Sequence, residues 1–326
     1  MRETSMLELR DLKTHFFTPA GVVKSVDGVS LTVARGEILG LVGESGSGKS
    51  ITGFSILGLV DAPGRNAGGQ ILFKGENLVG MPERRVRALR GNRIAMIFQD
   101  PMMTLNPVLS VKTHMVETVL AHDRVSRAEA LRRSIEALAM VSIPQPELRI
   151  ESYPHEFSGG MRQRVAIAIA LLHKPDLIIA DEPTTALDVT IQSQILAQVQ
   201  TLCRELGMGL IWISHDLGVV AGLADRIAVM YAGRIVEQGT VDEVLDTPRH
   251  PYTKGLIGSA PIANERGAPL QSIRGSAPSP LARPEGCAFR TRCDHATEVC
   301  RAEPAESREG LHSFRCFHPL GSETRP

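Results

Sequence analysis

The stretch Ile38–Ser50, ILGLVGESGSGKS, sets an unbroken apolar run directly before a glycine-rich octet. A run apolar at every position, Ile38 to Val42, suits a strand buried on both sides of a parallel sheet. The octet Gly43–Ser50 fits the pattern G-x-x-x-x-G-K-[ST], and the segment after it, SITGFSILGLV, has helical spacing. Strand, glycine turn and helix in that order surround a phosphate chain with backbone N–H groups and with the positive end of a helix. In this reading Gly43, Glu44, Ser45, Gly46, Ser47 and Gly48 form the curl. Lys49 reaches the terminal phosphates, Ser50 offers a hydroxyl to Mg²⁺, and Ile51 opens the helix behind them.

The chain around this turn alternates between strand and helix patterns. Residues 6 to about 42 read as short strands, and GGQILFKGENL returns to strand and turn. From Met102 to Met140 the pattern is mainly helical, with SRAEALRRSIEALAMV amphipathic; its apolar face is expected to pack within its own domain. A helix starts after EFSGG, DLIIAD is another buried strand, and TIQSQILAQVQTLCREL, GLIWIS and IAVMYAGRIVEQG continue the alternation. Such an order predicts an α/β fold with a mostly parallel sheet and helices on both faces. Beyond TPRHPYTKGL proline and glycine become frequent and periodicity fades, which puts a boundary near residue 250 and a linker around RGSAPSPLARPEG.

At 326 residues the chain can hold one large α/β domain with an appendage, or two domains. Its 36 Lys and Arg balance 36 Asp and Glu, so no field of one sign recommends nucleic acid or an anionic membrane as partner. No apolar run reaches the ~18 residues of a spanning helix, since VAIAIALLHKPDLIIAD is broken by His173, Lys174 and Asp176. The start, MRETSMLELRDLK, carries charges where a signal peptide is apolar. The expectation is a reducing interior, where disulfides explain clustered thiols poorly.

A phosphate turn needs acids nearby in the fold, and LIIADE (Leu177–Glu182) supplies them. Asp181, at the strand end, can hold the shell of Mg²⁺, and Glu182 can polarise a water for attack on the γ-phosphorus. In FSGGMRQR (Phe157–Arg164), Ser158, Gly159 and Gly160 precede a helix. That makes either a second anion-binding helix terminus or a plain N-cap by Ser158. Preceding the acid strand, in a chain with a phosphate turn, this segment resembles the signature motif in the ATP-binding subunit of ATP-binding-cassette (ABC) transporters.

The resemblance covers residues 6 to about 250. It implies an α/β P-loop NTPase domain of the ABC ATPase type over 1–250, with a RecA-like core, an antiparallel β subdomain and a helical subdomain at about 100–170. Residues 251–326 then form a C-terminal extension with a four-cysteine cluster. Gln99 in FQDP resembles the Q-loop glutamine, a ligand of Mg²⁺ and water. Asp188 in TTALD resembles the D-loop aspartate, and His215 in ISHD the switch histidine that contacts the γ-phosphate. Phe16 aligns with the aromatic that stacks on adenine, with Phe17 as substitute. Ser158, Gly159, Gly160 and Met161 would face the partner cassette's ATP, although Phe157 and Met161 depart from the common LSGGQ. The resemblance therefore implies ATP between two cassettes, with Glu182, His215 and Gln99 as the catalytic group. A rival is a soluble ABC ATPase acting on nucleic acid or ribosomes; such proteins usually carry two cassettes or a coiled-coil insertion, and neither is seen in this sequence.

The segments QDPMMTLNPVLSV, YPHEFSGGMRQRVAIAIALL and TPRHPYTKGLIGSAP resemble the dipeptide and oligopeptide importer branch, which has nickel and glutathione relatives. That branch implies a second, related ATPase subunit, two permeases, an extracytoplasmic peptide-binding protein and no nucleic acid. The permease coupling helices would dock on the segment at about 100–160, and the subunit would lie on the cytoplasmic face of the bacterial inner membrane.

Of five cysteines, four lie in the tail: Cys287, Cys293, Cys300 and Cys316, spaced C-x5-C-x6-C-x15-C. Four thiolates suit tetrahedral Zn²⁺ or an iron–sulfur cluster. The tight C-x2-C turn typical of zinc is absent, and longer spacings better match the corners of a bulky cluster. In the importer branch the tail that this one resembles carries a [4Fe–4S] cluster. Zn²⁺, unligated thiols and a redox-sensor role are the alternatives. His295, His312 and His318 read as solvated loop histidines, and Cys203 as a small core residue.

Overall fold

The computed structural model of the chain describes residues 5–184, 187–259 and 272–321. These fall into two compact units, one built mainly from Gly80–Ile211, the other from Leu7–Thr32, Ile38–Val79 and the described residues from Trp212 onward.

In the first unit, strands Ile94–Ile97 and Leu177–Asp181 pair in parallel, with Ala95 opposite Ile178 and Ile97 opposite Ala180. Every residue of Leu177–Asp181 is buried, as its apolar run predicts. Helix Val111–His122 begins where Ser110 Oγ accepts from Thr113 N, and helix Arg127–Met140 where Ser126 Oγ accepts from Glu129 N. The second of these buries Ala130, Ser134, Ala137 and Leu138 against its helical neighbours, so its apolar stripe packs inside the unit. Helix Gly159–Leu171 is buried over most of its girth.

The second unit contains an antiparallel sheet of Gly21–Val33, Leu7–Thr18, Gly64–Phe73 and Glu76–Asn77, in that order. The first two strands run 13 and 12 residues, longer than the short strands expected. Val22, Lys24 and Thr32 simply face outward along one continuous strand, which bends at Gly28 with φ 85°.

The phosphate-turn strand Ile38–Val42 pairs in parallel with Arg226–Tyr231, setting Leu39 opposite Arg226 and Val42 opposite Val229. Beyond it the sheet turns antiparallel: Arg226–Tyr231 pairs with Arg234–Thr240, which takes His312–Phe314 on its other side, followed by Ser307–Glu309. The C-terminal segment thus extends the sheet that carries the phosphate turn. Of the large apolar side chains it brings between residues 272 and 321, Phe289 and Phe314 are the buried ones. The Phe289 ring lies 5.3 Å from both Tyr231 and Tyr252, in a cluster that the segment completes but does not own.

Candidate nucleotide site

In the second unit, Gly43–Gly48 curls between strand Ile38–Val42 and helix Lys49–Leu57. Gly48 is the N-cap of that helix at φ 105°, and a Cβ there would sit 2.2 Å from Ser25 O, so no other residue fits. No side chain caps the helix at this end, the end whose dipole favours an anion. At Gly46, in the middle of the loop, a Cβ would meet nothing within 4 Å. The Lys49 ammonium is buried and donates to Gly43 O (2.8 Å) and Glu44 O (3.0 Å). Ser47 Oγ is buried with no hydrogen-bond partner, an orphan hydroxyl inside a loop shaped for an anion. Ser45 and Gly46 are exposed, Ser50 is half-buried, and Ile51 lies in the first turn of the helix.

Glu44 is held on both sides. Its N–H donates to the Tyr252 hydroxyl at 2.9 Å. Its carboxylate accepts both terminal nitrogens of Arg292, at 2.6 and 2.9 Å. The paired carboxylate raises the affinity of Arg292 for its proton, and burial raises that of Tyr252. Neither Arg292 nor Tyr252 was marked by the sequence: Arg292 lies in the cysteine segment and Tyr252 in TPRHPYTKGL, whose role had been family likeness alone.

Phe16 is half-buried against the backbone at Gly64, where a Cβ would come within 2.6 Å of its ring. Phe17 is more exposed, with the Arg65 guanidinium 4.2 Å over its ring. His215 is exposed just after strand Gly209–Ser214, ahead of a helix that Asp216 caps.

In the first unit the acids and the glutamine meet. Gln99 Nε2 donates to Glu182 Oε2 at 3.3 Å, joining residues far apart in sequence. Asp181 is buried at the end of its strand. Glu182 has φ 45°, a left-handed backbone unusual for a side chain of its size and typical of residues held for function. Ser158 caps helix Gly159–Leu171 by accepting from Met161 N at 3.4 Å, and Ser158 and Gly159 are exposed while Phe157 is buried. A Cβ on Gly160 would sit 2.8 Å from Ile191 Cγ2 in the helix that Asp188 opens as N-cap. Asp188 accepts from Ile191 N at 3.0 Å, so the Ser158–Gly160 turn and Asp188 meet at one packed corner through Ile191.

The four tail thiols lie within electrostatic reach of one another. Burial first, then the charges of Cys287, Cys293 and Cys300, push the Cys316 thiol up to about 11. Burial likewise raises Cys287 and Cys293. Cys287 N donates to Cys300 O at 3.0 Å, and His318 N to Cys316 Sγ at 3.3 Å. Among the described residues no three His, Cys, Asp or Glu side chains form a group that could hold a metal ion, so this arrangement of the four thiols supports neither the iron–sulfur cluster nor the zinc expected of them.

Of the tail histidines, His312 is not solvated. Its strand pairs into the sheet, and its Nε2 lies 2.7 Å from the fully buried Glu237. His295 is exposed, and His318 Nε2 lies 2.8 Å from Thr297 Oγ1. Cys203 is fully buried, as expected of a core residue.

Comparison with known proteins gives this geometry its family. The ABC transporter family matches residues 26–185, and the family described as oligopeptide/dipeptide transporter, C-terminal region, matches 236–300. An oligopeptide transport ATP-binding protein from Salmonella typhimurium is 47% identical over 97% of this chain and 94% of its own. The chain belongs to the ABC transporter ATP-binding subunits. A dipeptide transport ATP-binding protein from Haemophilus influenzae is 45% identical over 99% of this chain and 98% of its own. Among solved structures, a dimeric ATP-binding cassette in a post-hydrolysis state bound to ADP and Pi is similar with TM-score 0.66 and 26% identity, covering 72% of this chain and 99% of that one. The chain is accordingly an ABC-type ATPase with the P-loop fold. Among its described residues no helix is long and apolar enough to cross a membrane.

Proposed function

We propose that this chain is the ATP-hydrolysing subunit of a bacterial importer of dipeptides or oligopeptides, bound to the cytoplasmic face of the inner membrane. The observation that carries the reading is similarity that runs through the C-terminal segment, beyond the cassette common to all ABC ATPases. It favours peptides over nickel or glutathione and over a soluble ABC ATPase acting on nucleic acid or ribosomes. The partners are a second ATPase subunit, two permeases and an extracytoplasmic peptide-binding protein. Exposed Met103, Val108, Leu148 and Tyr153 on the Gly80–Ile211 unit support docking of permease coupling helices there.

In the working dimer, Gly43–Ile51 of one cassette takes the phosphates of ATP, Phe16 stacks on the adenine, and Ser158, Gly159, Gly160 and Met161 of the other cassette close on the γ-phosphate. Ser50 and Gln99, with Asp181 in the outer shell, present the hard oxygen donors that suit Mg²⁺, which neutralises charge on the β- and γ-phosphates when bound. Glu182 takes the proton of the attacking water, Gln99 orients that carboxylate, His215 contacts the γ-phosphate, and Asp188 links the two cassettes.

Cys287, Cys293, Cys300 and Cys316 supply the four thiol donors that a [4Fe–4S] cluster would use, with Zn²⁺ as the alternative occupant. Ligation would supply folding free energy to a segment with little core of its own. Anaerobic purification with matched iron and sulfide analysis tests this assignment.

The function is tested by peptide uptake in cells that lack their own importer but express this subunit with its three kinds of partner. Uptake is expected with the native chain. Glu182→Gln should retain ATP binding and lose both uptake and turnover; normal turnover in that transporter would sink the assignment.

A further inference from the structure

Arg292 stands between Cys287 and Cys293 in sequence, yet it is buried and its side chain ends on the phosphate loop, 248 residues away. Both terminal nitrogens engage Glu44, at 2.6 and 2.9 Å, in a bidentate ion pair. Nη1 also reaches the Tyr231 hydroxyl at 3.3 Å. The same side chain is locked from behind: its Nε donates to Arg274 O (2.9 Å), while Arg274 Nε and Nη2 donate back to Arg292 O (3.2 Å) and Cys293 O (2.8 Å). The rings of Tyr231 and Phe289 lie under the guanidinium, with Cζ 5.8 and 5.9 Å from their centroids. All of these groups belong to one compact unit.

A loop that binds phosphate gains nothing from a free carboxylate of its own, since like charge at the site opposes the ligand. Glu44 is tolerated because Arg292 neutralises it and, with Tyr252, fixes the curl at its second residue. We infer that Arg292 is a positioning residue for the phosphate loop, through which the cysteine segment sets the affinity of this subunit for ATP. The inference rests on the ATP-binding reading of Gly43–Ser50.

The test is equilibrium binding of a fluorescent N-methylanthraniloyl ATP to the full chain in EDTA, where hydrolysis does not intervene. Arg292→Ala should weaken binding about tenfold, a typical coupling between two sites. Adding Glu44→Gln to that variant should restore affinity to within about threefold of the native chain, because the orphaned charge is gone. Arg292→Gln, with a longer side chain, replaces the alanine variant if the latter does not fold. In the assembled transporter the first variant should raise KM for ATP while kcat at saturating ATP holds.

Unchanged affinity in Arg292→Ala overturns the inference. So does a loss that Glu44→Gln fails to rescue, because that would make Arg292 a scaffold residue only. Lys49→Ala separates the two layers: if it binds the probe like the native chain, the phosphate-loop reading itself fails.

Discussion

Removing the carboxylate of Glu237 should detach the C-terminal segment from the sheet. Glu237 is fully buried and receives three donors: Arg249 N at 2.6 Å, His250 N at 2.9 Å and His312 Nε2 at 2.7 Å. It joins strand Arg234–Thr240, the start of helix Pro251–Gly258 and strand His312–Phe314 at one point. His250 cannot compensate by charging, because burial pushes it down to about 3 and its Nδ1 already accepts from Tyr252 N. Hydrogen bonds to a charged group contribute ~1.5–3 kcal/mol each, and a donor left buried without a partner costs ~1–3 kcal/mol. Relief from desolvating the carboxylate offsets part of the sum, so Glu237→Ala should cost about 3–5 kcal/mol, the range seen when one partner of a buried pair is removed. At ~2–4 °C per kcal/mol for a protein of this size, the thermal midpoint falls by about 10 °C. Glu237→Gln keeps one carbonyl oxygen for three donors and should lose about 1–3 kcal/mol. The assay is thermal unfolding followed by circular dichroism, with limited proteolysis between residues 272 and 321 as a local readout. An alanine variant that melts within about 1 °C of the native chain, with its tail equally resistant, would refute the reasoning.

Three further outcomes follow from the same geometry. Asp27 accepts from Arg234 at 2.9 Å and Arg283 at 2.5 Å, and although burial opposes its charge, these two guanidinium groups hold its carboxyl far below the ordinary carboxylate range. Its stabilisation is complete above the unfolded value of 3.8 and is lost as the pH falls toward the depressed folded value, so the slope of the urea midpoint between about pH 4 and pH 2 should flatten in Asp27→Asn. Gly48→Ala, with its Cβ driven to 2.2 Å from Ser25 O at φ 105°, should lose nucleotide binding and about 2–4 kcal/mol of stability, measured by ligand titration and urea denaturation. If a cluster occupies the four tail thiols, Cys316→Ser should lower the bound iron and sulfide together with resistance of the tail to proteolysis; native iron content in that variant would remove Cys316 from the ligand set.

The phosphate loop could be read from the chain because its chemistry is contiguous: a buried run, a glycine curl, Lys49, Ser50 and a helix in immediate succession. The buried strand of LIIADE is legible for the same reason, whereas the bond from Gln99 to Glu182 joins residues that no local pattern connects. What stayed hidden is carried by distant partners. Arg290 and Arg292 are two residues apart in RTRC; the first donates to the backbone of Glu285 near the surface, the second crosses to Glu44, and nothing local separates them. His312 looked like a loop residue because the strand that receives it, Arg234–Thr240, lies far upstream. Phe16 and Phe17 are chemically alike, and only the pleat of their strand decides which one packs on Gly64.

The hairpin Ser307–Phe314 has one more consequence. Without it, Arg234–Thr240 would present an unpaired row of amide and carbonyl groups flanked by the apolar side chains Ile235 and Val236, a template for pairing with another chain. The outermost strand that replaces it, Ser307–Glu309, is three residues long, fully exposed and carries Arg308 and Glu309, which makes it a poor template. Truncation at residue 250 would therefore leave the cassette with an open, adhesive edge, a geometric consequence that holds whatever the thiols bind.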